Sequence, residues 1–182
     1  MKKTAGHYHV RGFPLTRAET GENEIVLTLF TYERGKIRVT VRGTKKPASS
    51  LRAASLQFHE NHYFIARRRT SDLLVEWEPL RHFPGPASSL RNLSTAGYAA
   101  RFILALAPFR EREESLYHLL ENIYRLLYLD INNDIINVLF EWGFLLVMGI
   151  SPPFENCIGC GRPLHTGYFM WDIPEGGFLC SE

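Results

Sequence analysis

The chain has 182 residues, 45% hydrophobic and 13% aromatic, with 21 Lys+Arg against 19 Asp+Glu for a formal net charge of +2. That composition supplies one or two compact cores and excludes a disordered chain. The longest apolar stretch, residues 135–148, is broken by Asn137, Glu141 and Gly143 and is shorter than the ~20 residues that span a bilayer. Met1-Lys2-Lys3 is followed by Thr4-Ala5-Gly6-His7-Tyr8 where a signal peptide needs an apolar run, so a cytoplasmic protein is expected.

The small net charge conceals a division: residues 1–70 carry 14 Lys+Arg against 5 Asp+Glu, and residues 71–182 carry 7 against 14. Between positions 34 and 69, ten basic residues face a single acid, Glu60. Such a concentration is the footprint of phosphate binding. Short β-branched or aromatic runs at 8–14, 24–31, 36–42, 63–69 and 73–78 predict five strands, the count of an OB-fold. Tyr32-Glu33-Arg34-Gly35 predicts a hairpin turn pairing 24–31 with 36–42. In that second strand the alternation buries Ile37, Val39 and Val41 and places Lys36, Arg38 and Arg42 on the opposite face. Residues 43–50 follow as a loop carrying Lys45 and Lys46. Arg34, Lys36, Arg38, Arg42, Lys45, Lys46, Arg52, Arg67 and Arg69 are the candidate nucleic-acid contacts. The bland reading, a merely solvated basic face, is weakened by the ten-to-one imbalance. Tyr8, Phe13, Tyr32, Phe58, Tyr63 and Phe64 lie in the same segment, and most are expected in the core rather than stacking bases.

Residues 82–89 stack prolines, glycine and serines ahead of a change of period. Apolar residues recur at helical spacing from Leu90 to Ala107 and from Leu116 to Leu127, with Glu111, Glu113 and Glu114 at the start of the second helix and Glu121–Arg125 as an i,i+4 pair. The third helix, 135–148, is apolar on nearly every side and is expected in the middle of the bundle, ending at Gly149 before Pro152-Pro153. The organisation expected is α+β and multidomain: 1–81 a nucleic-acid-binding OB-fold, 82–153 helical, 154–182 a zinc-binding element.

Cys157-Ile158-Gly159-Cys160-Gly161 is the two-thiolate turn of zinc ribbons, and Cys180 follows after Gly176-Gly177. Cys157, Cys160 and Cys180 are the candidate ligands of a structural zinc ion. A fourth ligand at position 183, His165 in that place, or no metal at all are the alternatives left open. His59-x-x-His62 lacks a third ligand, and no phosphate-binding loop or nucleophile motif is present, so no enzyme is expected.

In their order these motifs resemble the RecO family of bacterial recombination mediators over essentially the whole chain. Thr20-Gly21-Glu22 and Leu29-Phe30-Thr31-Tyr32-Glu33-Arg34-Gly35-Lys36 look like the family's first hairpin, and Arg42-Gly43-Thr44-Lys45-Lys46 like the basic element after it. Phe140-Glu141, Leu145-Leu146, Gly149-Ile150 and Pro152, then Cys157-x-x-Cys160-Gly161, form the most specific stretch. The resemblance implies an OB-fold, a helical domain and a zinc element. It implies binding of single- and double-stranded DNA, strand annealing, and loading of RecA with RecR onto DNA covered by the single-stranded-DNA-binding protein, in the bacterial cytoplasm at the nucleoid. An RNA-binding OB protein is the alternative reading. The C-terminal tail of the single-stranded-DNA-binding protein is expected in an apolar groove between helices flanked by Arg101, Arg125 and Arg110 or Arg112, the alternative being that these arginines only balance neighbouring acids such as Glu121. Arg101 stands where relatives commonly place Glu, and the chain ends before the further helical sequence of its relatives.

Overall fold

The computed structural model describes residues 6–20, 24–42, 54–165 and 167–181. Strands β1 (His7–Glu19), β2 (Glu24–Thr31), β3 (Gly35–Arg42), β4 (His59–Ala66) and β5 (Asp72–His82) close into a barrel in the order β1-β2-β3-β5-β4. Every neighbouring pair is antiparallel except β3 and β5, which run parallel with Val39 opposite Asp72. A register shift between Pro14 and Thr16 bends β1, so its first half pairs with β4 and its second with β2. A bulge at a proline costs no ladder donor and turns the strand around the barrel. The arrangement fits an OB-fold, a five-stranded closed sheet.

The period-two pattern fills the barrel. Ile37, Val39 and Val41 point inward with Ile25, Leu27, Leu29, Val10, Tyr63, Ile65 and Leu74. The hairpin of 24–31 with the basic strand forms in full register, Thr28 opposite Arg38. β4 begins earlier than 63 and stops at Ala66. Arg67, Arg68 and Arg69 are exposed and outside the strand instead, where the chain turns back after the Ala66–Leu73 pair into β5. The loop at 43–50 and Arg52 lie outside the described residues.

Helices α1 (Leu90–Leu106), α2 (Glu114–Leu126) and α3 (Asn133–Val147) follow. Ser89 caps α1, its hydroxyl accepting from the Asn92 amide at 3.1 Å, which satisfies one of the helix's unpaired donors. The Asn92 side-chain amide donates to Gly85 O at 3.1 Å and Leu127 O at 2.8 Å, tying the end of α2 to the start of α1. The buried stripe of α2 includes Tyr117 and Tyr124. Both rings pack on Phe13 of β1, at 5.1 and 5.5 Å between centroids, so the barrel's outer wall and the helices share an aromatic core.

The chain divides into two compact units, Met1–Glu141 and Trp142–Glu182. In the second, β6 (Phe169–Asp172) and β7 (Gly177–Cys180) form a hairpin, and Trp142, Phe154, Trp171 and Phe178 cluster with centroids 4.4 to 6.2 Å apart. Contrary to the expectation from its apolar composition, helix α3 is not buried on nearly every side. Ile136, Phe140 and Phe144 are buried, but Ile135, Val138, Leu139 and Leu146 are 48–63% exposed. Mean apolarity located the helix; one stripe of it, at i, i+4 and i+8, packs.

Candidate nucleic-acid interface and metal centre

Arg34, in the turn between β2 and β3, lies with its guanidinium 4.4 Å from the Tyr8 ring centroid. Arg38 is exposed on β3 and sits 4.8 Å from the Phe109 ring. Arg42 is exposed at the end of β3, with Nε 2.6 Å from Glu24 Oε1 across the hairpin. Arg67 and Arg69 are exposed in the β4–β5 turn. Lys45, Lys46 and Arg52 lie outside the described residues.

Lys36 departs from the alternation. It is 2% exposed, its ammonium donating to Leu104 O at 2.5 Å and lying 4.5 Å from the Phe109 ring. The link between α1 and α2 covers this end of β3, and a lysine there can only turn to the helix's terminal carbonyls. Burial, and then Arg38, lower its pKa. It is therefore removed from the exposed basic face.

Glu60, the one acid between 34 and 69, is fully buried. Arg81 Nε donates to its Oε2 at 2.5 Å and the Tyr117 hydroxyl to its Oε1 at 2.6 Å. Arg81 also donates to Glu121 Oε1 at 2.5 Å, and Arg125 to the same oxygen at 2.6 Å. The network locks β4 and β5 to α2. It also leaves the 34–69 segment with no carboxylate facing solvent. The Glu121–Arg125 pair expected from spacing thus serves a buried network.

Phe13, Phe58 and Tyr63 are core, as expected, while Tyr8, Tyr32 and Phe64 are half-buried. Tyr8 and Tyr32 lie beneath guanidiniums, Arg34 over the first and Arg11 over the second at 4.0 Å. Phe64 is stacked with His7 at 5.1 Å. Arg11 lies outside residues 34–69, and its alternation with the buried Val10 marks it in the sequence. His59 stacks on His82 at 4.4 Å rather than joining a metal set.

The three cysteine sulfurs lie within 4.8 Å of one another, the group among the described residues able to hold a metal, and His165 is not part of it. Cys160 and Cys180 Sγ are 3.6 Å apart. The knuckle closes through Gly161 N–H to Cys157 O at 2.8 Å, and Ile158 N–H to Phe178 O at 2.9 Å ties it to β7. A Cβ on Gly177 would stand 2.3 Å from Ile158, so glycine there permits that approach. The Cys180 amide donates to Cys157 Sγ at 3.3 Å. Backbone amides of Cys180, Cys160 and Gly159 pull the Cys157 thiol down to about 6, toward the thiolate a metal requires. The donors fit a thiolate-binding ion such as zinc.

Comparison with known proteins gives matches over both halves. The family model "Recombination protein O N terminal" matches residues 4–83 and "Recombination protein O C terminal" residues 87–182. Proteins named DNA repair protein RecO are 30% identical in Pelotomaculum thermopropionicum, over 96% of this chain and 67% of that one, and 28% identical in an Exiguobacterium species, over 95% and 69%. The Nostoc punctiforme protein of that name is 30% identical over 96% of this chain and 62% of its own length. The chain therefore spans roughly two thirds of these relatives.

Proposed function

Since the chain belongs to the RecO family, we propose that it acts in DNA repair and homologous recombination without nucleotide hydrolysis. It binds single- and double-stranded DNA, anneals complementary strands and, with RecR, loads RecA onto DNA coated by the single-stranded-DNA-binding protein. The observation that carries this reading is the set of exposed arginines, Arg34, Arg38, Arg42, Arg67 and Arg69, on a barrel segment whose one carboxylate is buried. A surface that screens the phosphates of two strands lowers their mutual repulsion and leaves base edges free to pair. Lys45, Lys46 and Arg52, which lie outside the described residues, are proposed as further contacts on the strength of the sequence.

Cys157, Cys160 and Cys180 hold a structural zinc ion in this reading, whose role is to fold its element. Residues 1–81 bind nucleic acid, 82–153 engage protein partners and 154–182 carry the metal. The acidic, apolar-ended tail of the single-stranded-DNA-binding protein suits a cavity of about 630 Å³ between β1 and α1, where Arg101 stands beside Leu15, Ala100 and Leu104. No helix among the described residues is long and apolar enough to cross a membrane, and a cytoplasmic, nucleoid-associated protein is proposed. The test is annealing of two complementary oligonucleotides by the purified protein, beside its affinity for matched RNA. Acceleration with DNA bound at least as tightly as RNA is expected; no acceleration, with RNA preferred, overturns the reading.

A further inference from the structure

DNA binding by an exposed basic face does not by itself explain why two of its arginines converge on a third at the barrel rim. Arg34 from the β2–β3 turn, Arg67 from the β4–β5 turn and Arg110 from the α1–α2 link line a single notch of about 40 Å³, with Tyr8, Ile37 and Asp72. The three arginines come from three distant segments: a ring contact holds the Arg34 side chain, and backbone hydrogen bonds anchor the other two. The Arg34 guanidinium lies over the Tyr8 ring, 4.4 Å from its centroid, a contact that leaves N–H groups able to donate. The Arg67 amide donates to Gly6 O at 2.7 Å. The backbone of Arg110 is fixed, its amide donating to Lys36 O at 2.9 Å, Phe109 bridging Lys36 and its φ standing at +62°, while its side chain is 68% exposed. A non-glycine residue keeps such a conformation only where its surroundings impose it, and strain of this kind gathers at functional sites.

The charge balance of the notch says what it takes. Asp72 is engaged by its neighbours, accepting from the Tyr8 hydroxyl at 2.7 Å and the Arg68 amide at 3.4 Å, with Arg110 at 3.8 Å. Three guanidiniums less one carboxylate leave the lining at +2. A backbone phosphodiester carries one negative charge. A terminal phosphate monoester carries about two at neutral pH and offers three oxygens to guanidinium forks. Its lining offers guanidinium donors and a tyrosine hydroxyl already given to Asp72, which suits a phosphate group. We infer that it is a subsite for a terminal phosphate monoester of a DNA strand, so that the barrel engages strand ends as well as strand backbones. This inference rests on the DNA-binding reading of the same barrel.

Single strands of one sequence, carrying a 5′-phosphate, a 3′-phosphate or hydroxyls at both ends, are titrated against the wild type and Arg110→Gly. Glycine accepts the φ of +62°, so the variant is expected to keep its fold, which its melting temperature checks. Arg110→Lys, with the charge but not the fork, is the second variant. A terminal phosphate is expected to tighten wild-type binding roughly tenfold, about the effect of one charge-assisted hydrogen bond. The gap should close in Arg110→Gly and shrink in Arg110→Lys, while hydroxyl-ended strands still bind. A preference for one end names that end, and millimolar inorganic phosphate that erases the preference supports the monoester as ligand. Equal wild-type affinity for all three strands, or a preference that survives Arg110→Gly, overturns the subsite and leaves DNA binding standing. Failure of every strand to bind overturns the DNA-binding reading, and the subsite with it.

Discussion

A Cβ on Gly35 would stand 1.7 Å from Glu111 O, and Gly35 has φ +60°. The absent side chain is what lets the α1–α2 link lie on the barrel and bury Lys36. Gly35→Ala is expected to destabilise by about 2–4 kcal/mol, from the left-handed backbone plus the displaced link; a denaturant midpoint equal to wild type would refute that packing account. Glu121 offers a pH test. Burial raises its pKa, but His118, Arg81 and Arg125 together outweigh burial and hold it below its ordinary value of 4.5. A carboxyl depressed in the folded state contributes stability that is present above its unfolded pKa and is lost as pH falls through the folded one. Stability should therefore fall as the pH drops below about 4.5, and Glu121→Gln should flatten that acid limb while lowering stability at neutral pH. An unchanged acid limb in the variant would show that other carboxylates govern it.

Strands and helices were legible where local pattern and tertiary demand agree. Alternation alone located β3 and the inward set Ile37, Val39 and Val41, because a half-buried strand has one period to satisfy. Lys36 obeys the same alternation and is buried all the same, since what covers the start of β3 is a link some 70 residues later, contacting it through Leu104 and Phe109. The three-cysteine group was legible from spacing. The Arg34–Arg67–Arg110 notch was not, because its members meet only once the barrel closes and the link docks. Helix α3 marks the other limit: the sequence shows how much apolar surface exists, not which stripe finds a partner. Its exposed Ile135, Val138, Leu139 and Leu146 predict self-association. Val138→Glu with Leu139→Lys should lower light scattering at high protein concentration and shift stability by no more than about 0.5 kcal/mol per site; a large loss of stability would mean that this stripe packs. The cysteine element has its own test. Cobalt substitution should give thiolate charge-transfer absorption that Cys160→Ser weakens, whereas a protein taking up neither cobalt nor zinc would leave the three thiols as packing groups.

Over the whole molecule, the basic-to-acidic change at residue 70 falls inside the barrel, not between domains. β3 presents Arg38 and Arg42, whereas β5, its parallel neighbour, exposes Glu76 and Glu78. On the proposed DNA-binding reading, phosphate would be attracted to one side of the closed sheet and repelled from another, which would orient a strand on the barrel without any base contact. Arg42 is partly neutralised by Glu24 at 2.6 Å, so the sequence count overstates the field there. For about six phosphates of a single strand, log K should fall against log[salt] with a slope of roughly −4, from ~0.7 per contact. Arg38→Glu should weaken binding to all sequences alike and make the slope shallower by about 0.7. Glu24→Gln, which releases Arg42, should do the reverse and tighten binding about two- to fourfold, the worth of one exposed ion pair. Lys36→Met, at a buried position, should change stability more than it changes the slope. Salt titrations of these three variants decide the arrangement: equal slopes in wild type and Arg38→Glu, with the loss confined to Lys36→Met, would move the DNA surface off β3.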